Sequence, residues 1–327
     1  MHNKEIMQIE PYSSIKIDCF QNLLMTLLNS KGIDPCIFGC VWPWFFFKKR
    51  NSNNILYQYF VSTDALKKLS GFQLMESDIK NDLIKTLISA VKNNAIIINI
   101  DQYYLTHHYP DVYNVSHGVH SLLLLKYDIE KLAFLGIGVF PEYKGWMDEN
   151  EIAQGMLSNY ISSIDLLKYY WLDKIDNWIA PQKDDIDNQF FSNLYKTDKY
   201  DDYEAIEISD IYKMFSDMHA RGRDSFIELF KSMSNDRWIW EIERPGNVLS
   251  AYLQSEYYSP ILLAEQRKKA VSYIEEINKY LVLSLRKIYK YILINNYNIF
   301  KDGLNYLEMS WNKSRQLKLW LQSMTKA

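Results

Sequence analysis

A run of apolar residues at helical spacing predicts the first helix of the chain, over residues 18–30. Its apolar stripe consists of Phe20, Leu23, Leu24, Leu27 and Leu28. Asp18 has the side chain of a good N-cap, and Gly32 is suited to ending the helix. Cys19 therefore falls in the first turn, where unpaired N–H groups and the helix dipole favour a negative charge.

The hydrophobic pattern then changes between helical and alternating periods, which predicts a mixed α and β region. We expect a strand over 53–62, a helix over 76–93, and strands over 95–100, 120–127 and 131–139. A polar, aromatic loop, residues 102–118, connects two of these strands. Because consecutive strands are joined by modest loops, the sheet is expected to be antiparallel.

Beyond Asp148 the pattern becomes almost entirely helical. Helical spacing relates Ile152, Met156, Tyr160, Ile164, Leu167 and Trp171. A polar loop is expected over 181–203, followed by helices over 208–233, 247–258, 260–297 and 303–325. The sequence thus predicts an α+β fold in two parts, a helix-and-sheet domain over 1–147 and a helical domain or lid over 148–327.

Composition and charge argue against several classes of protein. The formal net charge is −3 and there is no block of basic residues, so we expect no nucleic-acid partner. The longest apolar stretch near the start, Cys36–Phe47, is too short to span a bilayer, so we expect no membrane association. The chain has three cysteines and no recognisable secretory signal, which favours a reduced, cytoplasmic protein.

No pattern typical of a metal site is present. Cys36 and Cys40 lack a second Cys or His pair of the zinc type, so structural cysteines are expected there. A metal site could also combine Asp111 with nearby histidines, but their spacing matches no standard zinc pattern: His107, His108, His117 and His120. We therefore expect no metal. The segment Trp42–Phe47 is expected in the core, with a substrate-binding wall as the alternative.

The residues themselves suggest thiol nucleophilic catalysis. A thiol becomes reactive when a helix N-terminus and a nearby imidazole stabilise its thiolate. Cys19 begins the first helix, and His120 opens an apolar strand later in the chain. His117, three residues before His120, competes with it for the role of base. A buried and inert cysteine is the structural alternative for Cys19.

Three segments together resemble a known family: Cys19 on its helix, Asp101–Leu105 at the end of a strand, and His117–Asp128. The second reads Asp-Gln-Tyr-Tyr-Leu, and in the third His120 leads an apolar strand toward Lys-Tyr-Asp. This order resembles the butirosin-biosynthesis BtrH N-terminal-like family, which has a papain-like, peptidase C39-like fold. Lys126 stands where the family has Gly, and the resemblance covers approximately residues 10–145.

The resemblance implies acyl transfer through an acyl-cysteine intermediate rather than proteolysis. It implies Cys19 as the nucleophile and His120 as the general base, because papain-like folds place the base at the start of this strand. The family's best-known chemistry moves an aminoacyl group from a carrier-protein thioester onto an amine of an antibiotic precursor. Cysteine-protease-like amide synthases of closthioamide biosynthesis, which act on carrier-bound β-alanine units, are a related alternative.

The partners that this chemistry implies are an acyl or peptidyl carrier protein and a small amine or amino-acyl acceptor, in metabolism of the nonribosomal-peptide type. No cofactor is expected, and the phosphopantetheine arm of the carrier protein would hold the substrate. A cytoplasmic cysteine peptidase or thioesterase with the same residues is the main alternative. A non-catalytic scaffold on the same fold is the other.

The group that orients the imidazole is the least defined part of the expected site. The strand after the base has no Asp or Asn where related peptidases carry one, so Asp101 is expected to orient His120, with Glu142 as the alternative. The peptidase Gln before the cysteine is also missing, which favours an activated thioester as the substrate. The backbone N–H of Cys19 is one expected oxyanion donor. Candidates for the second donor are Ser13, Ser14, Gln21 and Asn22.

Overall fold

The structure is a computed structural model. It describes residues 8–12, 18–41, 46–49, 55–56, 63–79, 82–108, 110, 112–162, 167–193, 203–206, 208–222, 224–226, 249–255 and 262–324. Several residues named above lie outside these ranges: Ser13, Ser14, residues 42–45, most of the strand predicted over 53–62, Asp111 and Ile164.

The described residues contain helices and strands throughout the chain. The helices are α1 (Cys19–Ser30), α2 (Thr63–Ser70), α3 (Leu83–Asn93), α4 (Glu149–Met156), α5 (Asn159–Ser162), α6 (Lys183–Asn193), α7 (Ile208–Ala220), α8 (Ala264–Ile294) and α9 (Tyr297–Met324). The strands are β1 (Phe46–Lys49), β2 (Ile55–Leu56), β3 (Phe72–Asp78), β4 (Ile96–Asp101), β5 (Val119–Asp128), β6 (Ala133–Val139), β7 (Glu142–Asp148), β8 (Lys168–Lys174) and β9 (Tyr203–Ile206). Short 3₁₀ helices cover Pro35–Val41 and Gln102–Tyr104.

Six of the strands form one sheet in the order β3-β8-β4-β5-β6-β7. Every neighbouring pair in it is antiparallel. A second sheet has the order β2-β1-β9 and is also antiparallel. The expectation of an α+β fold with an antiparallel sheet and a helical C-terminal region is therefore confirmed.

The chain divides into two compact units. The described residues of 1–35 and 62–180 form the first unit, and those of 36–61 and 181–327 form the second. The first unit contains α4, α5 and β8, which all follow residue 147, the predicted domain boundary.

The first predicted helix is confirmed, together with its cap. α1 begins at Cys19, and the Asp18 carboxylate accepts a hydrogen bond from the Gln21 N–H at 2.9 Å. The chain leaves the helix through Gly32, whose φ of +78° is in the left-handed region that glycine tolerates. All residues from Gln21 to Leu28 are buried, so α1 is a core helix.

The helix predicted over 76–93 begins too early. Residues 76–78 complete β3, which pairs with β8 from Phe72 to Asp78. The helix begins at Leu83, where the Asp82 side chain accepts from the Lys85 N–H at 3.2 Å. A capping carboxylate at this position, rather than the apolar period, sets the helix start.

The helical pattern expected from 152 to 171 is wrong in its last part, because residues 168–174 form β8. β8 pairs Tyr169 with Ile98 and Tyr170 with Ile97. Its aromatic residues alternate between the two faces of the sheet, and Tyr170 meets Phe20 of α1 with ring centroids 5.1 Å apart. This alternation, which favours a strand, was hidden by the helical spacing of Leu167 and Trp171.

The polar loop expected over 181–203 is also wrong, because it contains α6, which buries Ile186 and Phe190. Three of the four predicted C-terminal helices are confirmed as α7, α8 and α9, with bounds that differ from the prediction by up to 13 residues at the end of the first. Of the fourth, predicted over 247–258, residues 249–254 are helical. In the described part of the chain, no helix has the length and apolar character needed to cross a membrane.

Gly71 joins the end of α2 to the start of β3 and lies very close to the Trp178 side chain. It has a φ of +72°, and a Cβ there would lie 2.5 Å from Cδ2 of the Trp178 indole. The indole Nε1 donates to the carbonyl of Lys68 at 3.1 Å, which fixes the ring over the glycine. Gly32 has a similar φ, but a Cβ there would meet nothing within 4 Å.

We expect Gly71→Ala to lower the free energy of unfolding by roughly 1–3 kcal/mol more than Gly32→Ala does. Both substitutions introduce a side chain at positive φ, but only the first displaces a packed indole. Urea unfolding followed by far-UV circular dichroism measures both losses. Equal losses would show that Trp178 does not restrict position 71.

The second unit contains a buried carboxylic acid. Asp187 is buried beside Tyr252, which is fully buried and donates its hydroxyl to the carboxylate. Burial raises the pKa of Asp187 from 3.8 to about 6, against the opposing effect of Lys183. Burial also raises the pKa of Tyr252, so its hydroxyl stays protonated.

Because the pKa of Asp187 is higher in the folded state, its contribution to stability is complete below pH 3.8 and is lost as the pH rises to about 6. We expect Asp187→Asn to gain stability relative to the wild type across this window, by up to roughly 3 kcal/mol. An amide keeps an acceptor for Tyr252 without a charge. Chemical unfolding at several pH values tests this, and the exposed Asp217→Asn is the control. A difference that does not grow between pH 4 and 6 would contradict it.

Candidate active site

The register between β4 and β5 decides which side chains share a face of the sheet. Asn99 lies directly opposite Ser121, and Ile100 lies opposite His120. Opposed residues in an antiparallel pair project to the same face, and successive residues project to opposite faces. Asn99 and Ser121 therefore lie on one face, and Ile100 and His120 on the other.

Cys19 lies on the face of Asn99 and Ser121. Its Sγ contacts Ser121 Oγ at 3.6 Å, and the Ser121 hydroxyl donates to Asn99 Oδ1 at 2.9 Å. Cys19 is partly buried and, like the other two cysteines, is not part of a disulfide. As the first residue of α1 it lies at the positive end of the helix dipole, which favours a thiolate.

Asp101 is fully buried and holds the segment that carries His117. Its Oδ2 lies 2.7 Å from His117 Nδ1, and its Oδ1 accepts from the N–H groups of Tyr103 and Gly118 at 3.1 and 3.2 Å. A carboxylate only accepts hydrogen bonds, so Nδ1 carries a proton and Nε2 is the nitrogen that can take one up. The His117 side chain is 52% exposed, so it is open to solvent.

Asp101 and Cys19 belong to the same face of the sheet. Asp101 follows Asn99 by two residues on β4, so both project to the side that α1 covers. Two residues of a strand span about 7 Å, which is the distance along β4 from Asp101 to Asn99, the residue opposite Ser121.

The expected arrangement of Cys19, His120 and Asp101 therefore needs correction. His120 is 4% exposed and lies on the opposite face, where its ring meets His108 with centroids 5.1 Å apart. The imidazole bound to Asp101 belongs to His117, the competing candidate. The physical reason is the two-residue period of a strand, because a difference of one position changes the face.

Two tyrosines flank the His117 imidazole. The Tyr103 ring stacks on it with ring centroids 4.4 Å apart. The Tyr160 ring of α5 is nearly parallel to the imidazole, with ring centroids 6.1 Å apart. Tyr103 belongs to the 3₁₀ helix that Asp101 caps. The same carboxylate thus fixes both the imidazole and the ring that supports it.

His107, in the loop between β4 and β5, is packed against other side chains. The His107 side chain is 8% exposed and stacks on Tyr143 with ring centroids 4.0 Å apart. Burial lowers the pKa of His107 to about 4, so it is neutral at pH 7. Burial raises the pKa of the adjacent Glu151, which accepts from the Thr106 N–H at 2.8 Å. Within the described ranges, no group of three or more His, Cys, Asp or Glu side chains could hold a metal ion.

The other candidates from the sequence are placed as follows. Glu142 is exposed on the edge strand β7. The Asn22 side-chain amide donates to the Asp18 carbonyl at 3.1 Å. Gln21 is 1% exposed and projects from the side of α1 away from Cys19, because two helical positions differ by about 200°. These placements do not supply a second oxyanion donor from Gln21 or Asn22.

α4 packs closely against the strand that carries the site. A Cβ at Gly155 would overlap Ile100 Cγ1 and lie 3.4 Å from the Asp101 carbonyl. The face of β4 that carries Ile98 and Ile100 belongs to an apolar core cluster, together with residues of α3 and α4. Asp101 therefore connects the site on one face to the core on the other.

Asn99 and Ser121 are the site residues that sequence reasoning missed. Both interrupt otherwise apolar strands, and both are buried, at 6% and 1% exposure. Buried polar residues at alternate positions, 99 and 101, on a strand of isoleucines were the available indication. Together with position 121 they mark one polar end of the face that α1 covers.

The chain matches no protein-family model and no curated protein sequence. The likeness to the BtrH N-terminal-like family thus remains a resemblance of short motifs.

Proposed function

We propose that the chain is an acyltransferase that forms an amide bond from a carrier-protein thioester through an acyl-Cys19 intermediate. The observation that carries this proposal is a thiol at a helix N-terminus on the same sheet face as a buried Asp101 paired with an accessible His117. A helix that begins with Cys, packed on an antiparallel sheet beside a His–Asp pair, fits a papain-like enzyme. The motif resemblance adds the carrier protein and the amine.

The proposed reaction has two acyl transfers. His117 Nε2 takes the thiol proton as Cys19 Sγ attacks the thioester carbonyl, and the phosphopantetheine thiolate leaves and receives that proton. The amine then attacks acyl-Cys19, and His117 removes a proton from the amine and returns it to the Cys19 sulfur as the thiolate leaves. Asp101 keeps Nδ1 protonated throughout and stabilises the imidazolium. The absence of a disulfide among the three cysteines fits a reducing, cytoplasmic setting.

A thioesterase is the second candidate, and the exposure of His117 favours it. A side chain that is 52% exposed meets water, which the same imidazole can activate against acyl-Cys19. The two functions differ in the product formed when an amine is present. Amide formation in preference to free acid supports the transferase, and free acid at every amine concentration supports the thioesterase.

We expect an acyl thioester of N-acetylcysteamine, which imitates the phosphopantetheine arm, to acylate the protein once, on the peptide that contains Cys19. Intact-mass and peptide mass spectrometry measure the adduct. Cys19→Ala should abolish it, and Cys36→Ala should not, because the proposed nucleophile is the thiol at the start of α1 and Cys36 belongs to the other unit. An adduct on Cys36, or none on the wild type, would refute the proposal.

Substitutions of His117 and His120 are expected to differ in their effect on the rate of acylation. We expect His117→Gln to slow adduct formation about 100-fold or more, because it removes the base. His120→Gln should leave the rate within about threefold of the wild type, since its side chain lies on the other face. Stopped reactions analysed by mass give the rates, and far-UV circular dichroism confirms folding. The reverse pattern would restore His120 as the base.

A further inference from the structure

The Cys19 thiol is the first member of a chain of polar contacts that ends inside the sheet. Cys19 Sγ lies 3.6 Å from Ser121 Oγ, and Ser121 Oγ lies 2.9 Å from Asn99 Oδ1. Ser121 and Asn99 are directly opposed on β5 and β4, and both are buried. In the state that the structure records, the thiol donates to the hydroxyl and the hydroxyl donates to the amide oxygen.

A serine hydroxyl has one proton and rotates to suit its surroundings. A thiolate has no proton and only accepts. A hydrogen bond from a hydroxyl to an anion is stronger than one from a thiol to a neutral oxygen, because the charge assists it. Loss of the thiol proton therefore changes which neighbour, Cys19 Sγ or Asn99 Oδ1, attracts the Ser121 proton more strongly.

We propose that Ser121 is a positioning residue for Cys19, and that its hydroxyl turns from Asn99 to the sulfur when the thiolate forms. This inference rests on the proposed function in taking Cys19 as the nucleophile. Ser121 stabilises and aims the thiolate, and Asn99 competes for the same proton and so favours the resting thiol. Acylation of the sulfur neutralises it, and the hydroxyl returns to Asn99.

The proton balance of this step is simple. The proton on Cys19 Sγ passes to His117 Nε2, and the Ser121 proton stays on its own oxygen. Only hydrogen bonds change at Ser121 and Asn99. Because the two residues act on the thiolate in opposite senses, their removal should move its formation in opposite directions.

The test is the pH dependence of Cys19 alkylation by iodoacetamide, read from the Cys19 peptide by mass spectrometry. We expect Ser121→Ala to move the midpoint of the profile up by about one pH unit, a tenfold change. Asn99→Ala should move it down, because the hydroxyl is then available to the sulfur alone. Ser121→Thr keeps a hydroxyl and should stay close to the wild type. Ser158→Ala, which removes another buried serine of the same unit, should leave the midpoint unchanged.

An unchanged midpoint in Ser121→Ala, or shifts of the same sign in Ser121→Ala and Asn99→Ala, would overturn the inference. If Ser121→Ala does not fold, Asn99→Ala alone tests the inference. A downward shift of its midpoint supports the inference, and an unchanged midpoint overturns it. Alkylation needs no substrate, so the two proposals fail separately. Opposite shifts without any acyl adduct would support Ser121 and refute the acyltransferase, and an adduct with unchanged midpoints would do the reverse.

Discussion

The hydrogen bonds of the Asp101 carboxylate are the interaction on which the site depends. One oxygen holds His117, and the other holds the N–H groups of Tyr103 and Gly118. A fully buried carboxylate is stable only when such donors replace its water. The loop between β4 and β5 is therefore anchored at both of its ends by the Asp101 side chain. The same carboxylate fixes the position of the His117 imidazole.

Much of the fold of the first unit could be predicted from the sequence, because local features specify it. The Asp18 cap, the apolar stripe of α1 and the isoleucine run of β4 each indicate their element without tertiary information. β8 could not be predicted in this way. Its aromatic residues satisfy a helical spacing as well as an alternating one, and only the pairing with β3 and β4 selects the strand.

The site was predictable in its residue types and less so in its geometry. The sequence indicated Cys19 at a helix start and Asp101 at a strand end, and the structure places both there. It could not distinguish His117 from His120, because that choice depends on whether a residue lies within the strand or in the loop before it. His120 is the second residue of β5 and is fixed to one face, whereas His117 precedes the strand and can turn toward Asp101.

The absence of a side chain at Gly155 has a consequence for how this protein tolerates change. Because α4 lies almost against the backbone of Asp101, the position of the carboxylate depends on how the apolar residues of α3 and α4 fill the other face. Core substitutions that leave the fold intact can therefore act at a distance on the imidazole. An engineer who wishes to stabilise this unit has the freest choice at positions remote from the interface of α4 with β4.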